Sequence, residues 1–345
     1  MDAVSLGFSA LAIVSILAVT GFLGLLASSP TTADWARSVL VAGVGGATVA
    51  IAWALQLLPL PLLLLGPIAA LGSLFATLAT SLSESESTPR RLLVAALATA
   101  LVFLPAARPV FGPTFDPFGT KLGVIDLGGA VPALVASGAF ALGMVLFRRT
   151  TAPADPARGR GWRILVPAIL AWTAGVGWLV GLELAADDVV PVILVNALVM
   201  PAVGAAAASV VERLRFRRST ASSLVTGILA GMAAAVPAAA FVTPPLAAVV
   251  GLLAGSVGAL LPERALGWPA TTLAAGASVS MVLVGALGTN IGYIYTGQPE
   301  LVLGQLFITV VAIIGGGAVG CAFGWLLRRW PSRQRSVPLV DRFRP

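Results

Sequence analysis

In the stretch "KLGVIDLGGAVPALVASGAFALGMVLFRR", residues 121–149, a single carboxylate, Asp126, interrupts an otherwise apolar run. An acid placed there can do two things. It can accept backbone N–H groups at a helix start, helped by the adjoining Gly128-Gly129, or it can hold a cation. Near the interface its insertion costs less than the roughly 3 kcal/mol of a charge at mid-bilayer. Other chemistry is scarce. The chain has no histidine, which removes the usual proton shuttle and the commonest transition-metal ligand. It has one cysteine, Cys321, so no intramolecular disulfide can form. No paired membrane carboxylates and no Gly-Lys-Ser phosphate loop occur, and "GVGG" (43–46) lacks the strand context such a loop needs. Metalloproteases, haem proteins and nucleotide-driven pumps are thereby disfavoured. The expectation is a protein that is not an enzyme, with no cofactor and no metal site.

The elements that must carry Asp126 follow from composition. Of 345 residues, 58% are hydrophobic and 10% charged, which fits a polytopic all-α membrane protein rather than a soluble domain. A helix needs about 20 apolar residues to cross the hydrocarbon. Such runs occur eleven times, at about 4–27, 38–57, 60–82, 90–109, 122–147, 163–184, 188–211, 220–240, 243–262, 268–288 and 300–327. The Pro-rich "LPLPLLLLGP" (58–67) blurs the boundary between the second and third.

Charge gives the orientation, because short cytoplasmic loops collect Lys and Arg. With the N-terminus outside and the C-terminus inside, 19 of the 21 basic residues fall on the cytoplasmic side, and only Arg108 and Lys121 lie outside. The net charge of +7 is therefore loop bias, not a nucleic-acid footprint. The outer acids Asp116, Glu183, Asp187, Asp188 and Glu300 either enrich cations at an outer mouth or merely mirror the same bias. "MDAVSLGF" has no basic start and no cleavage site, so the first span reads as a retained helix. The short tail 328–345 holds six arginines suited to anionic headgroups.

Gly and other small residues recur within the spans, as in "VAGVGGATVA" and "IIGGGAVGCAFG"; in lipid, close backbone approach through such residues is what binds helices together. Five spans that start outside are followed by five that start inside. This predicts one transmembrane domain, 1–327, built as a 5+5 inverted repeat with halves at about 4–147 and 163–288, plus an eleventh helix at about 300–327. "AVPAL" (130–134) and "AVPAA" (235–239) look alike but fall at non-equivalent places.

The order of segments resembles the ammonium transporter (Amt/Mep/Rh) family from about residue 10 to 327. "FATLATSLSESESTPRRLLVAALATALVFLPAARPVFG" (75–112) is similar to the family's third and fourth spans, and "GVIDLGGAVPALVASGAFALGMVLFRR" to the motif that opens its fifth. "AWTAGVGWLVGLELAADD" (171–188) and "MAAAVPAAAFVTPPLAAVVGLLAG" (232–255) resemble two further family segments. The resemblance implies that Asp126 organises an outer, ammonium-recruiting vestibule. It also implies a homotrimer in the cell membrane and an ammonium or ammonia substrate. By the same resemblance the twin pore histidines fall on Leu134 and near Leu273, or, with a one-residue slip, on Ala133 or Thr272. The vestibule Trp falls on Phe111, its Ser partner on Leu182, the Thr before the Pro on Val236, the outer Phe gate on Ala70 with Phe75 the nearest aromatic, and the inner Phe gate on Trp178.

The chain is thus expected to be a divergent member that lacks the pore histidines. A dehydrated cation needs acceptors, and a path of Leu134, Leu273, Val236 and Leu182 offers none. The expected activity is electroneutral passage of ammonia or another small neutral solute, with Phe111 and Trp178 as constrictions. One alternative is a non-conducting relative, a sensor or structural subunit, whose leucines fill the old pore. Another is a displaced path lined by Thr271, Thr272, Ser278, Asn290 or Tyr293. The tail lacks the acidic, Gly-containing form by which the family engages its nitrogen-regulatory partner, so no such partner is expected.

Overall fold

The fold was analysed in a computed structural model, which describes residues 3–27, 32–81, 86–112, 124–147, 161–261 and 268–329. Among the described residues, nine apolar helices have 18 residues or more: α1 (Ala3–Ala27), α2 (Thr32–Ala54), α3 (Leu62–Ala79), α4 (Thr88–Phe111), α6 (Trp162–Glu183), α7 (Val189–Phe216), α8 (Ala221–Ala238), α10 (Ala270–Leu287) and α11 (Glu300–Arg329). Two shorter ones, α5 (Val131–Phe147) and α9 (Pro244–Leu260), complete the set of eleven. Asp116, Lys121, Arg148, Arg149, Arg158, Arg160, Arg264 and the tail from Trp330 onward lie outside the described residues.

Several boundaries differ from the sequence reading, among them the start of α2, which lies at Thr32 rather than about 38. The helix expected to start at residue 122 starts only after Gly129; residues 124–129 are not helical, and Gly129 adopts φ +75°, a left-handed conformation that favours glycine. Asp126 therefore precedes α5 rather than standing in its first turns. At the other extreme, α7 runs on past residue 211 to Phe216, and Arg213 and Arg215 in its last turn face the negative end of the helix dipole.

The packing of helices repeats with an offset of five. α1–α3, α2–α3, α2–α4 and α3–α5 recur as α6–α8, α7–α8, α7–α9 and α8–α10, while α1 against α6 and α5 against α10 join the halves. Five is odd, so equivalent helices run in opposite directions, as the inverted repeat requires. α11 stands outside the repeat and lies along α5. There the backbones nearly touch: a Cβ at Gly320 would fall on the Phe140 carbonyl oxygen, and one at Gly316 would lie 2.7 Å from the Ala136 oxygen. Between α8 and α10 the same closeness occurs at Gly276, where a Cβ would lie 2.8 Å from the Ala230 Cα and carbonyl carbon.

Where helices stop inside the protein, backbone groups must find partners, because lipid supplies none. α8 ends at Ala238, and the carbonyls of Ala239 and Val242 accept from Asn196 Nδ2 of α7 at 2.8 and 2.7 Å. The Val236 carbonyl accepts from Gly128 N at 3.0 Å and the Ala234 carbonyl from Ser280 Oγ at 2.6 Å. Asn196→Leu, which leaves two buried carbonyls unpaired, is expected to lower stability by about 2 kcal/mol, read as a lower melting midpoint in detergent. An unchanged midpoint would show that the amide does not hold the end of α8.

Candidate functional site

The break before α5 and the end of α8 meet in the core, where Val236 and Phe111, two of the side chains singled out from sequence, lie against Gly128 and Gly129. Asp126 is 8% exposed and accepts two backbone N–H groups, Ala130 N to Oδ1 at 2.7 Å and Val131 N to Oδ2 at 2.8 Å. Both oxygens thus cap the start of α5, satisfying donors that have no partner within the helix. The preceding carbonyl, Ile125 O, accepts from Gln305 Nε2 of α11 at 2.7 Å, so the extra helix anchors the lead-in from its other side.

Gly128 and Gly129 bring the neighbouring helices in. A Cβ at Gly129 would lie 2.8 Å from Phe111 Cζ and 2.8 Å from Leu71 Cδ1, so the Phe111 ring of α4 rests over this glycine. A Cβ at Gly128 would lie 2.6 Å from Val236 Cγ1 and 3.0 Å from Leu179 Cδ2. Phe75 and Phe103 pack as a tilted pair with ring centres 5.6 Å apart. Deeper in the core, α5 and α10 cross at Gly138, where a Cβ would lie 2.6 Å from the Ala270 oxygen; Leu134 is one turn before Gly138, and Leu273 lies between Ala270 and Ala274.

Ala70, Phe75, Leu134, Trp178, Leu182, Val236 and Leu273 belong to one hydrophobic cluster, with half-buried Phe111 against it. Phe75, Leu134, Trp178, Val236 and Leu273 are 0% exposed. Zero exposure is a statement about space: no void large enough for a water molecule touches these five side chains, so the core is filled and dry here. The displaced path fares differently. Thr272 is buried and Thr271 and Ser278 half-buried on α10, while Asn290 and Tyr293 are exposed beyond its end.

Several core hydroxyls have their proton engaged and keep only acceptor capacity. Thr77, Thr99 and Ser137 donate to carbonyls one turn back on their own helices, and Ser280 donates to α8. Among the described residues, four buried side-chain atoms have no hydrogen-bond partner: Trp178 Nε1, Asn196 Oδ1, Gln305 Oε1 and Glu300 Oε2. The two amides were not singled out from sequence, although each is the only Asn or Gln in its helix. A lone amide in an apolar span is a signal that could have found them.

The sequence pattern of the Ammonium Transporter Family matches residues 68–334. The chain belongs to that family. Its multi-pass, all-helical membrane fold is the family's fold, and it resides in the cell membrane. The ammonium transporter of Bacillus subtilis (strain 168) is 30% identical over 190 residues, covering 53% of this chain and 46% of the relative. Ammonium transporter Amt1 of Archaeoglobus fulgidus is 31% identical over 188 residues, with 53% and 46% coverage. The chain therefore spans about half the length of the curated relatives it matches. Among solved structures, Mep2 of Saccharomyces cerevisiae superposes with a TM-score of 0.79 at 18% identity, covering 94% of this chain and 87% of that one. A protein described as a sensor Amt protein superposes at 0.74 and 17% identity, covering 94% and 91%. Those two likenesses establish the family member's fold across nearly its whole length.

Proposed function

We propose that this chain forms an ammonium transporter-family channel that carries ammonia as the neutral molecule and passes no ammonium current. The observation supporting this is the apolar, water-free packing at the positions assigned to the pore. Leu134 and Leu273 stand where the resemblance puts the histidine pair, with Val236 and Leu182 above them. An ammonium ion has only donors, and leaving its water costs far more than these side chains return. Ammonia is neutral, so it bears a much smaller desolvation cost. Passage requires Leu134 and Leu273 to part, because no water-sized space touches either in the state described. Asp126, with both oxygens engaged by α5, serves the path by holding the break open in shape rather than by binding the cation. The functional unit is one transmembrane domain, residues 1–327, assembled as a homotrimer as the family resemblance implies.

The same zero exposure favours a second reading, a non-conducting relative whose leucines seal the pore, consistent with a structural neighbour described as a sensor. Purified protein in liposomes separates the two. Under an ammonium gradient, the expected result is internal alkalinisation faster than in empty vesicles with no accompanying current. Leu134→Ala combined with Leu273→Ala, compared at equal folded fraction, should raise the alkalinisation rate severalfold. Current above that of empty vesicles would defeat the electroneutral reading, and silence in both wild-type assays would leave the non-conducting one.

A further inference from the structure

Glycines in the first half serve two different ends. At Gly46 of α2 a Cβ would lie 2.8 Å from Ser73 Oγ of α3, the close helix approach that small residues permit. One turn earlier, at Gly43, a Cβ would meet nothing within 4 Å, and the same holds for Gly21 on α1. These two glycines line a cavity of about 340 Å³ where α1 and α2 stand apart over α3, with the buried Ser73 and Thr77 as its floor. The corresponding helices of the second half are tied directly, Trp172 Nε1 of α6 donating to the Ala197 carbonyl of α7 at 2.9 Å. The hydroxyls of Thr20, Ser73 and Thr77 donate to the carbonyls of Ile16, Ala69 and Ser73 on their own helices, so none of the three offers its proton to the gap. The cavity runs from Leu17 to Leu25 along α1 and from Trp35 to Gly43 along α2. Each stretch rises about 12 Å, close to the roughly 15 Å of one leaflet's hydrocarbon. With the N-terminus outside, that leaflet is the cytoplasmic one. Trp35, 43% exposed, stands at the end nearest the link between α1 and α2, the level at which Trp meets headgroups.

We propose that this cavity seats one acyl chain of a cytoplasmic-leaflet phospholipid, wedged between α1 and α2 with its headgroup at the level of Trp35. A hydrocarbon chain needs no hydrogen-bond partner and matches the gap in length. It also supplies the van der Waals contacts that Gly21 and Gly43 leave unmade. A helix from a second copy is about 10 Å wide and crosses both leaflets, a shape this one-leaflet gap does not take. The lipid is thereby a wall of the first half of the repeat, filling between α1 and α2 the place that direct contact fills between α6 and α7.

Photolabelling of the full-length protein tests it. Liposomes of phosphatidylethanolamine and phosphatidylglycerol, the latter with a diazirine midway along one acyl chain, are irradiated and the protein's peptides read by mass spectrometry. Lipid around the protein labels its exposed side chains, whereas Ser73 and Thr77, 5% and 4% exposed, are reached from within the cavity. The expected result is label on residues 73–77 of wild type, reduced at least fivefold when Gly21→Leu and Gly43→Leu together fill the gap. Both positions have space for a Cβ, and Gly315→Leu, equally open but on α11, should label as wild type does. Added phosphatidylglycerol should also raise the melting midpoint of delipidated wild type and leave that of the double variant unmoved. No label at Ser73 and Thr77 in wild type overturns the seat, whether or not the variant folds. Undiminished label in the folded double variant, or an equal rise of both midpoints, overturns it as well. An unlabelled floor in wild type, together with a double variant that falls apart to monomers on size exclusion, would overturn it in favour of a second copy as the occupant.

Discussion

Gly276→Leu is expected to be the most damaging single substitution in the membrane core, costing about 3 kcal/mol or more and lowering the melting midpoint in detergent by about 10 °C. The reason is that a side chain there meets backbone, not another side chain. Its first carbon alone would lie 2.8 Å from the Ala230 Cα and carbonyl carbon, and α8 cannot retreat without disturbing Val236 and the Gly128 bond beyond it. A rotamer change can relieve an ordinary overpacked site; this one requires a helix to move. Gly315 on α11 supplies the control, since a Cβ there meets nothing within 4 Å, and Gly315→Leu should melt with the wild type. Equal behaviour of the two variants would mean that α8 and α10 are not held together by backbone contact.

Asp126→Ala is the second large effect. Two buried N–H groups, of Ala130 and Val131, lose their acceptors together, at a cost of about 2–4 kcal/mol. Asp126→Asn retains one good acceptor and should lose a part of that. This graded order in stability is the mark of a capping residue. A carboxylate kept to bind a cation would behave differently: both variants would melt as the wild type does and would differ from it only in transport.

The eleven spans and their alternation were legible in the sequence because hydrocarbon demands long apolar runs and cytoplasmic loops collect arginine. The beginning of α5 was not. "LGVIDLGG" is as apolar as the helix that follows it, and hydropathy cannot see that Gly129 turns left-handed or that Asp126 folds back onto Ala130 and Val131. Nor could periodicity say which side of each helix faces the core, since helices apolar all round carry little amphipathic signal. The assignment of Leu134, Leu273, Val236 and Trp178 came from segment order instead. Their dense packing became visible only when α5, α8 and α10 were assembled. The partners of Gln305 and Asn196 had to wait for the fold too, because they lie far along the chain, 180 residues away in the case of Ile125 and 43 and 46 for Ala239 and Val242.

The last helix has a consequence for how the molecule is made. The α5 backbone at Ala136 and Phe140 is shaped to receive Gly316 and Gly320, and Ile125 to receive Gln305, yet these partners leave the ribosome after the other ten described spans. Until then α5 has a bare face and its lead-in lacks an anchor, so the ten-helix intermediate holds its central break only from one side. Addition of α11 is therefore what closes this face of the core: a chain stopped before residue 300 would carry the other ten described helices without the contacts at Gly316, Gly320 and Gln305.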